Sequence, residues 1–180
     1  MAKKLDKIVV IDLEATCWDG LPPEGMTSDI IEIGVCLLDI HTGEITDNRG
    51  LLVKPERSEI SEFCTSLTTI TPSLIASEGM SFKEACSILK KQYLSQDRVW
   101  ASYGAYDFKQ VTKQCKDLGI GYPFSPSHIN VKVLFGLKHK LSVLQGMSEA
   151  LQTLNIPLEG THHRGVDDAK NIAKILRTLI

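Results

Sequence analysis

The chain has 180 residues, 43% of them hydrophobic and 23% charged, with 20 Lys and Arg against 22 Asp and Glu for a formal net charge of −2. That length holds one domain with a substantial core and hardly two, and the composition excludes a disordered or fibrous chain. The near balance of charge excludes a histone-like polycation but leaves room for local patches.

The segment up to Lys7 is rich in charge, and the apolar run after it stops at Asp12, too short for a signal sequence or a membrane span. Residues 8–13, a β-branched run without polar alternation, predict a buried strand. Ile30–Asp39 predicts a second strand and residues 44–54 a third, with His41-Thr-Gly43 as the hairpin turn between them. Residues 82–94 carry helical periodicity through Phe82, Ala85, Cys86, Leu89 and Tyr93, with Ser81 and Glu84 as a capping box. Arg98–Ser102 predicts a short strand. A helix over about 105–118 follows, with Phe108, Val111, Cys115 and Leu118 on one stripe and Gly119 as its stop. Two more amphipathic helices are expected over 143–154 and 166–179. Three early strands followed by helix, strand and helices give an α/β chain with a mixed sheet covered by helices, and the absence of repeats or linkers predicts one domain over 1–180.

The five cysteines at 17, 36, 64, 86 and 115 include no CxxC pair, so zinc-knuckle and thioredoxin-type sites are excluded. Their odd, dispersed placement predicts reduced thiols and a cytoplasmic location. Residues 1–60 hold six Lys/Arg against twelve Asp/Glu, whereas residues 98–140 hold seven against two. A solvated face accounts for such an imbalance, and so does a molecule that holds metal on one side and phosphates on the other.

Asp12 and Glu14 close the most hydrophobic strand, and residues two apart on a strand share a face. Two adjacent carboxylates repel each other and resist desolvation, a cost that a divalent cation removes because Mg²⁺ and Mn²⁺ take hard oxygen ligands. A strand that merely ends in two hydrated acids fits the same Asp-x-Glu pattern. Asp107 follows a strand and opens a helix, one residue before Phe108, at the edge of the core-facing stripe. It suits either a shared site or the helix dipole. In the last helix, Ala169, Ile172, Ala173, Leu176 and Leu179 define the buried face, which puts Asp168 at its rim and Asp167 nearly opposite. Two His/Asp pairs are spaced alike, His162 with Asp167 and His163 with Asp168, and the helical angle favours the second. A loop histidine there is a natural general base or an inert surface residue.

With these residues in place, Ile11-Asp-Leu-Glu-Ala-Thr-Cys17, Tyr106-Asp-Phe108 and the run from His163 to Ala173 resemble the three motifs of the DEDDh 3′–5′ exonucleases. The four intervening residues between His163 and Asp168 separate this group from relatives with a tyrosine at the histidine position. Glu14-Ala-Thr-Cys17, Pro22-Pro-Glu24, Phe63-Cys64, Leu67-Thr68 and Gly165-Val-Asp-Asp-Ala-Lys-Asn-Ile172 are similar to the Eri-like exoribonucleases, which trim structured RNA 3′ ends.

That resemblance covers nearly the whole chain. It implies a ribonuclease H-like exonuclease fold and a metal-dependent exoribonuclease that releases nucleoside 5′-monophosphates. Asp12, Glu14, Asp107 and Asp168 would hold two Mg²⁺ or Mn²⁺ ions, with Glu14 and His163 catalytic and His163 as the base. Activity would then fall below about pH 6.5, the ordinary histidine pKa. The resemblance also implies that Ala15, Thr16, Phe63 and Tyr106 touch the substrate, a single-stranded RNA 3′ end or overhang, with DNA as an alternative. Thr16 would neighbour the terminal ribose. The chain departs from the Eri-like pattern at Tyr106, where a tryptophan is usual, and at Thr69, where glycine is frequent. A β-branched residue at 69 stiffens the backbone and would narrow the nucleotide cleft. A basic rim over 131–141, with Lys132, Lys138 and Lys140, is a candidate contact to the phosphate backbone. Trp18 and Trp100 are expected in the core. No appended nucleic-acid-binding module is visible, so low intrinsic substrate selectivity is expected. A non-cleaving RNA-binding relative is the remaining alternative, though all five motif residues are present.

Overall fold

The computed structural model describes residues 2–180. Five strands form one mixed sheet in the order β3-β2-β1-β4-β5, with β1 at Lys4–Ala15, β2 at Ile30–Asp39, β3 at Ile45–Leu52, β4 at Arg98–Ser102 and β5 at His128–Asn130. β1, β2 and β3 are antiparallel neighbours, while β4 and β5 run parallel to β1. The helices are α1 Glu62–Thr68, α2 Pro72–Glu78, α3 Phe82–Gln92, α4 Tyr106–Leu118, α5 Val131–Lys138, α6 Met147–Thr153 and α7 Gly165–Arg177.

The alternation of β1 divides the core. Val9, Ile11 and Leu13 point to the face covered by α3 and α4, where they pack with Phe82, Leu89, Val111 and Trp100. Ile8 and Val10 point to the opposite face, against α5, α6 and α7. Because Asp12 and Glu14 continue the second series, they emerge on the α7 side of the sheet.

The strands over 30–39 and 98–102 and the Ser81–Glu84 capping box are as expected from sequence. β1 runs longer than 8–13, because Lys3 and Lys4 donate backbone bonds to Asp97 and the Arg98 guanidinium clasps Asp6 at 3.0 and 2.7 Å. The helix expected over 143–154 begins only at Met147. Gly146 caps it, its N–H bonded to the Glu149 carboxylate at 2.7 Å, and Val143 and Leu144 stay exposed. α1, α2 and α5 are helices of about two turns and β5 is a three-residue strand, pieces too short for apolar periodicity to pick out. α1 and α2 are set by their caps, Ser61 and Thr71, the latter followed by Pro72 at the first helical position.

α1 ends on Thr69, whose φ of 62° lies in the left-handed region. A β-branched residue there costs roughly 1–2 kcal/mol, which explains why glycine suits the position. Thr69→Gly is expected to gain about 1 kcal/mol after the unfolded chain's extra freedom is deducted, a rise of about 2–4 °C in thermal midpoint. A calorimetric melt reads it; an unchanged or lower midpoint would mean that the Thr69 hydroxyl, 3.4 Å from Arg164 Nη1, outweighs the strain.

Candidate active site

Three elements deliver carboxylates to one place. β1 supplies Asp12 and Glu14, α7 supplies Asp168, and one oxygen of each lies within 4.8 Å of the others. α4 supplies Asp107 across the end of β1, where its Oδ1 accepts the Leu13 N–H at 3.1 Å. Asp107 is not at the edge of a hydrophobic stripe but on the buried face itself, together with Gln110, Val111, Gln114 and Cys115, while Phe108 is 40% exposed. That face is half polar because it crosses the ends of β1 and β2. Gln114 accepts the Ile30 N–H, and Gln110 donates to Ser28 O, both at 2.9 Å.

The crowded acids pay electrostatically. Burial, followed by the charges of Asp168, Glu32 and Asp107, pushes the Glu14 pKa up to about 8. Burial raises Asp107 to about 6. Loss of water around Asp12, then the charges of Asp107 and Glu14, drive its carboxyl well above the usual range. Asp168 is buried, and its Oδ1 has no hydrogen-bond partner. Three clustered carboxylates with a fourth alongside, and an unsatisfied buried oxygen among them, are a donor set suited to hard divalent cations.

Raised carboxylate pKa values make stability fall with rising pH. Between the unfolded value near 4.5 and the folded value near 8, the folded chain keeps a proton on Glu14 that the unfolded chain has released. His128 and His163, whose pKa values burial lowers, act in the opposite sense, but only below about 6.5. The metal-free protein is therefore expected to lose thermal stability steadily from pH 6.5 to 8, and Mn²⁺ should restore it. A flat profile in chelator, read by calorimetry, would contradict the close approach of these acids.

The turn into α7 holds both histidines. His163 has a left-handed backbone, φ 65°, and its N–H donates to Asp168 Oδ2 at 2.9 Å. The ring that reaches this oxygen belongs to His162, with Nδ1 at 3.0 Å, and the two imidazoles stack with centroids 4.0 Å apart. The helical angle thus pairs His163 with Asp168 through its backbone, and the side-chain pairing is His162 with Asp168. Asp167 accepts the Thr161 N–H instead. Burial, then the neighbouring His162, holds the His163 pKa below the usual value, so its ring is neutral at pH 7.

Tyr106 and Phe63 are 55% and 40% exposed, so neither is core packing. Thr16 lies directly after β1. It is buried, its Oγ1 lies 2.7 Å from Ser58 Oγ and accepts the Asp29 N–H at 2.9 Å, and its carbonyl accepts Ser28 Oγ. These bonds hold the loop after β1. Ala15 is likewise buried. In the basic rim, Lys138 Nζ is bonded to Thr178 O at 2.9 Å.

Two fully buried acids escaped the sequence reading. Glu32, on β2 opposite Glu14, receives Arg164 Nε and Nη2 at 3.2 Å each and the Gly165 N–H at 2.8 Å, so it caps α7 and fixes the histidine turn. Its charge is offset by the guanidinium and the helix N-terminus together. Asp29 binds the Arg57 side chain and the backbone N–H groups of Glu56 and Arg57, tying the loop after β1 to the one after β3. A lone Glu within Ile30-Ile-Glu-Ile-Gly34 is the signal that could have marked Glu32.

The sequence profile described as Exonuclease, of the RNase T type, matches residues 9–176. Human 3′-5′ exoribonuclease 1 is 35% identical over 186 residues, which take in 94% of this chain and 51% of that protein. The chain thus spans about half the length of the curated relatives it matches. The nuclease domain of 3′hExo, a DEDDh family member bound to rAMP, superposes with a TM-score of 0.85 at 34% identity, covering 99% of this chain and 93% of that one. A 3′-exonuclease structure described as recognising the histone mRNA stem-loop gives a TM-score of 0.85 at 33% identity, over 98% of this chain and 64% of that one.

Proposed function

The chain belongs to the exonuclease family of the DEDDh type, and from that premise we propose that it is a metal-dependent 3′–5′ exoribonuclease that removes nucleoside 5′-monophosphates from RNA 3′ ends. The observation that carries this reading is the cluster of Asp12, Glu14 and Asp168 from β1 and α7, with the charge of Asp107 from α4 acting on Asp12 and Asp168 Oδ1 left unpartnered. The chemistry that two Mg²⁺ or Mn²⁺ ions supply in such a carboxylate set is neutralisation of the phosphate and leaving-group charge and a lowered pKa for water.

The chain's own residues do the rest. Asp12, Glu14, Asp107 and Asp168 hold the cations, and Glu14 also faces the reacting phosphate. A ring nitrogen of His163 takes the proton from the attacking water, since the imidazole is already neutral at pH 7. The acid limb of activity accordingly lies below the pH 6.5 of an unperturbed histidine. The exposed rings of Phe63 and Tyr106 stack the terminal bases, worth roughly 1–3 kcal/mol each. Ala15 and Thr16 set the floor beneath the terminal sugar. Residues 1–180 act as one catalytic domain on single-stranded 3′ ends or overhangs. Five free thiols support a reducing compartment, the cytoplasm, and no helix among the described residues is long and apolar enough to cross a membrane.

The deciding experiment offers 3′-labelled RNA and DNA oligomers of one sequence with Mg²⁺ or Mn²⁺. Release of 5′-mononucleotides from RNA is expected. Release from DNA alone would move the reading to a DNA exonuclease, and retention without release would move it to a non-cleaving binder.

A further inference from the structure

His162 takes no part in the chemistry above, yet its ring, rather than that of His163, touches Asp168. One donor atom each of His162, His163 and Asp168 lies within 4.8 Å of the other two. Two imidazoles and a carboxylate differ in kind from the neighbouring all-carboxylate set. They are the donors of a three-ligand zinc centre, whereas Mg²⁺ prefers oxygen alone. Asp168 belongs to both sets: its Oδ2 serves His162 Nδ1 at 3.0 Å and the His163 N–H at 2.9 Å, and its buried Oδ1 has no partner. The turn is held in advance, with Arg164 N–H bonded to Thr161 O at 3.2 Å and Asp167 Oδ2 to the Thr161 N–H at 2.8 Å. The stacked rings must turn to face one ion, and the His162 side chain, 42% exposed, is free to do so.

We propose that His162, His163 and Asp168 form a second cation site, overlapping the carboxylate set at Asp168, for Zn²⁺ or a similarly borderline-soft divalent cation, and that its occupancy switches the nuclease off. The binding half stands on the geometry of the turn; the inhibitory half rests on the function proposed above. A cation there takes the lone pair of His163 that would accept a proton and draws Asp168 away from the carboxylate set. Added Mg²⁺ competes for Asp168 only, so a zinc-selective chelator restores turnover where excess Mg²⁺ does not.

The test uses the full chain in saturating Mg²⁺. Zn²⁺ uptake is followed by titration calorimetry, and Co²⁺ serves as a visible-absorbing stand-in that reports nitrogen ligation. Nucleotide release is measured in parallel, each protein relative to its own zinc-free rate. One equivalent of Zn²⁺ is expected, with His162→Ala weakening uptake and raising the half-inhibitory zinc concentration at least about tenfold. His162→Cys, which keeps a zinc ligand at the position, should restore both. No uptake in Mg²⁺, or equal affinity in the wild type and His162→Ala, overturns the site. Uptake that depends on His162 without any inhibition overturns the switch. If uptake depends on His162 in a protein that degrades neither RNA nor DNA with any metal, the site stands and the nuclease reading falls.

Discussion

Asp12→Asn is expected to cut nucleotide release by at least about 10³-fold and, in the same protein, to raise the thermal midpoint of the metal-free form. The loss follows from the several kcal/mol that charge neutralisation by metal contributes to phosphoryl chemistry, at 1.36 kcal/mol per tenfold in rate. The gain follows from the opposite side of the same arrangement. Asp12 is desolvated beside Asp107, Glu14 and Asp168, and those neighbours drive its pKa up, so its ionised form is a burden on the empty fold. An amide of the same shape removes one negative charge without opening a cavity. Mn²⁺ should therefore stabilise the wild type strongly and the variant weakly, and the two melting curves should cross as metal is added. Turnover retained by the variant would remove Asp12 from the site. A lower metal-free midpoint would show that its carboxylate is held by attraction rather than tolerated against repulsion.

Much of this site could be read from the sequence because each part lies in an element with a strong local signal. β2 is an apolar run with clear ends, α3 has its capping box, and Asp12 and Glu14 follow the most hydrophobic stretch of the chain. The parts that could not be read depend on partners distant in sequence. Glu32 is stable in the sheet interior only because Arg164, 132 residues later, returns to it. Asp29 is stable only with Arg57. The Thr16 hydroxyl is engaged by Ser58, 42 residues later, and by the Asp29 N–H. Helical angles placed Asp168 on the inner side of α7 but not the rings of the preceding turn, because the left-handed backbone at His163 reverses the chain there. Hydrophobic periodicity misjudged α4 for a related reason: its buried face carries two glutamines that serve Ser28 before β2 and Ile30 at its start, so the apolar stripe and the buried stripe are different.

The second large effect is structural. Gly34 lies opposite Asp12 in the sheet, and α7 begins directly above it. A methyl group at 34 would overlap the Gly165 carbonyl, and the obstacle is backbone, which cannot rotate aside as a side chain can. Gly165 is confined from the other side, though less severely, since a Cβ there would lie 3.0 Å from Gly34 N and 3.2 Å from Asp12 O. This crossing of two glycines lets the helix rest on bare sheet, and only at that distance does Asp168, one turn further on, meet Asp12 and Glu14. Gly34→Ala is therefore expected to cost about 3 kcal/mol or more, beyond ordinary overpacking because neither side can yield. A lift of α7 on the order of 1 Å would by itself cost about 10²-fold in turnover, since the carboxylates and His163 move together with the helix. Gly146→Ala is the matched control, because its new methyl would meet only the Glu149 carboxylate at 3.6 Å. Circular dichroism melts and nucleotide release separate the two substitutions. Wild-type behaviour of Gly34→Ala would mean that α7 does not sit this low on the sheet, and the meeting of Asp168 with the β1 carboxylates would then lose its structural cause.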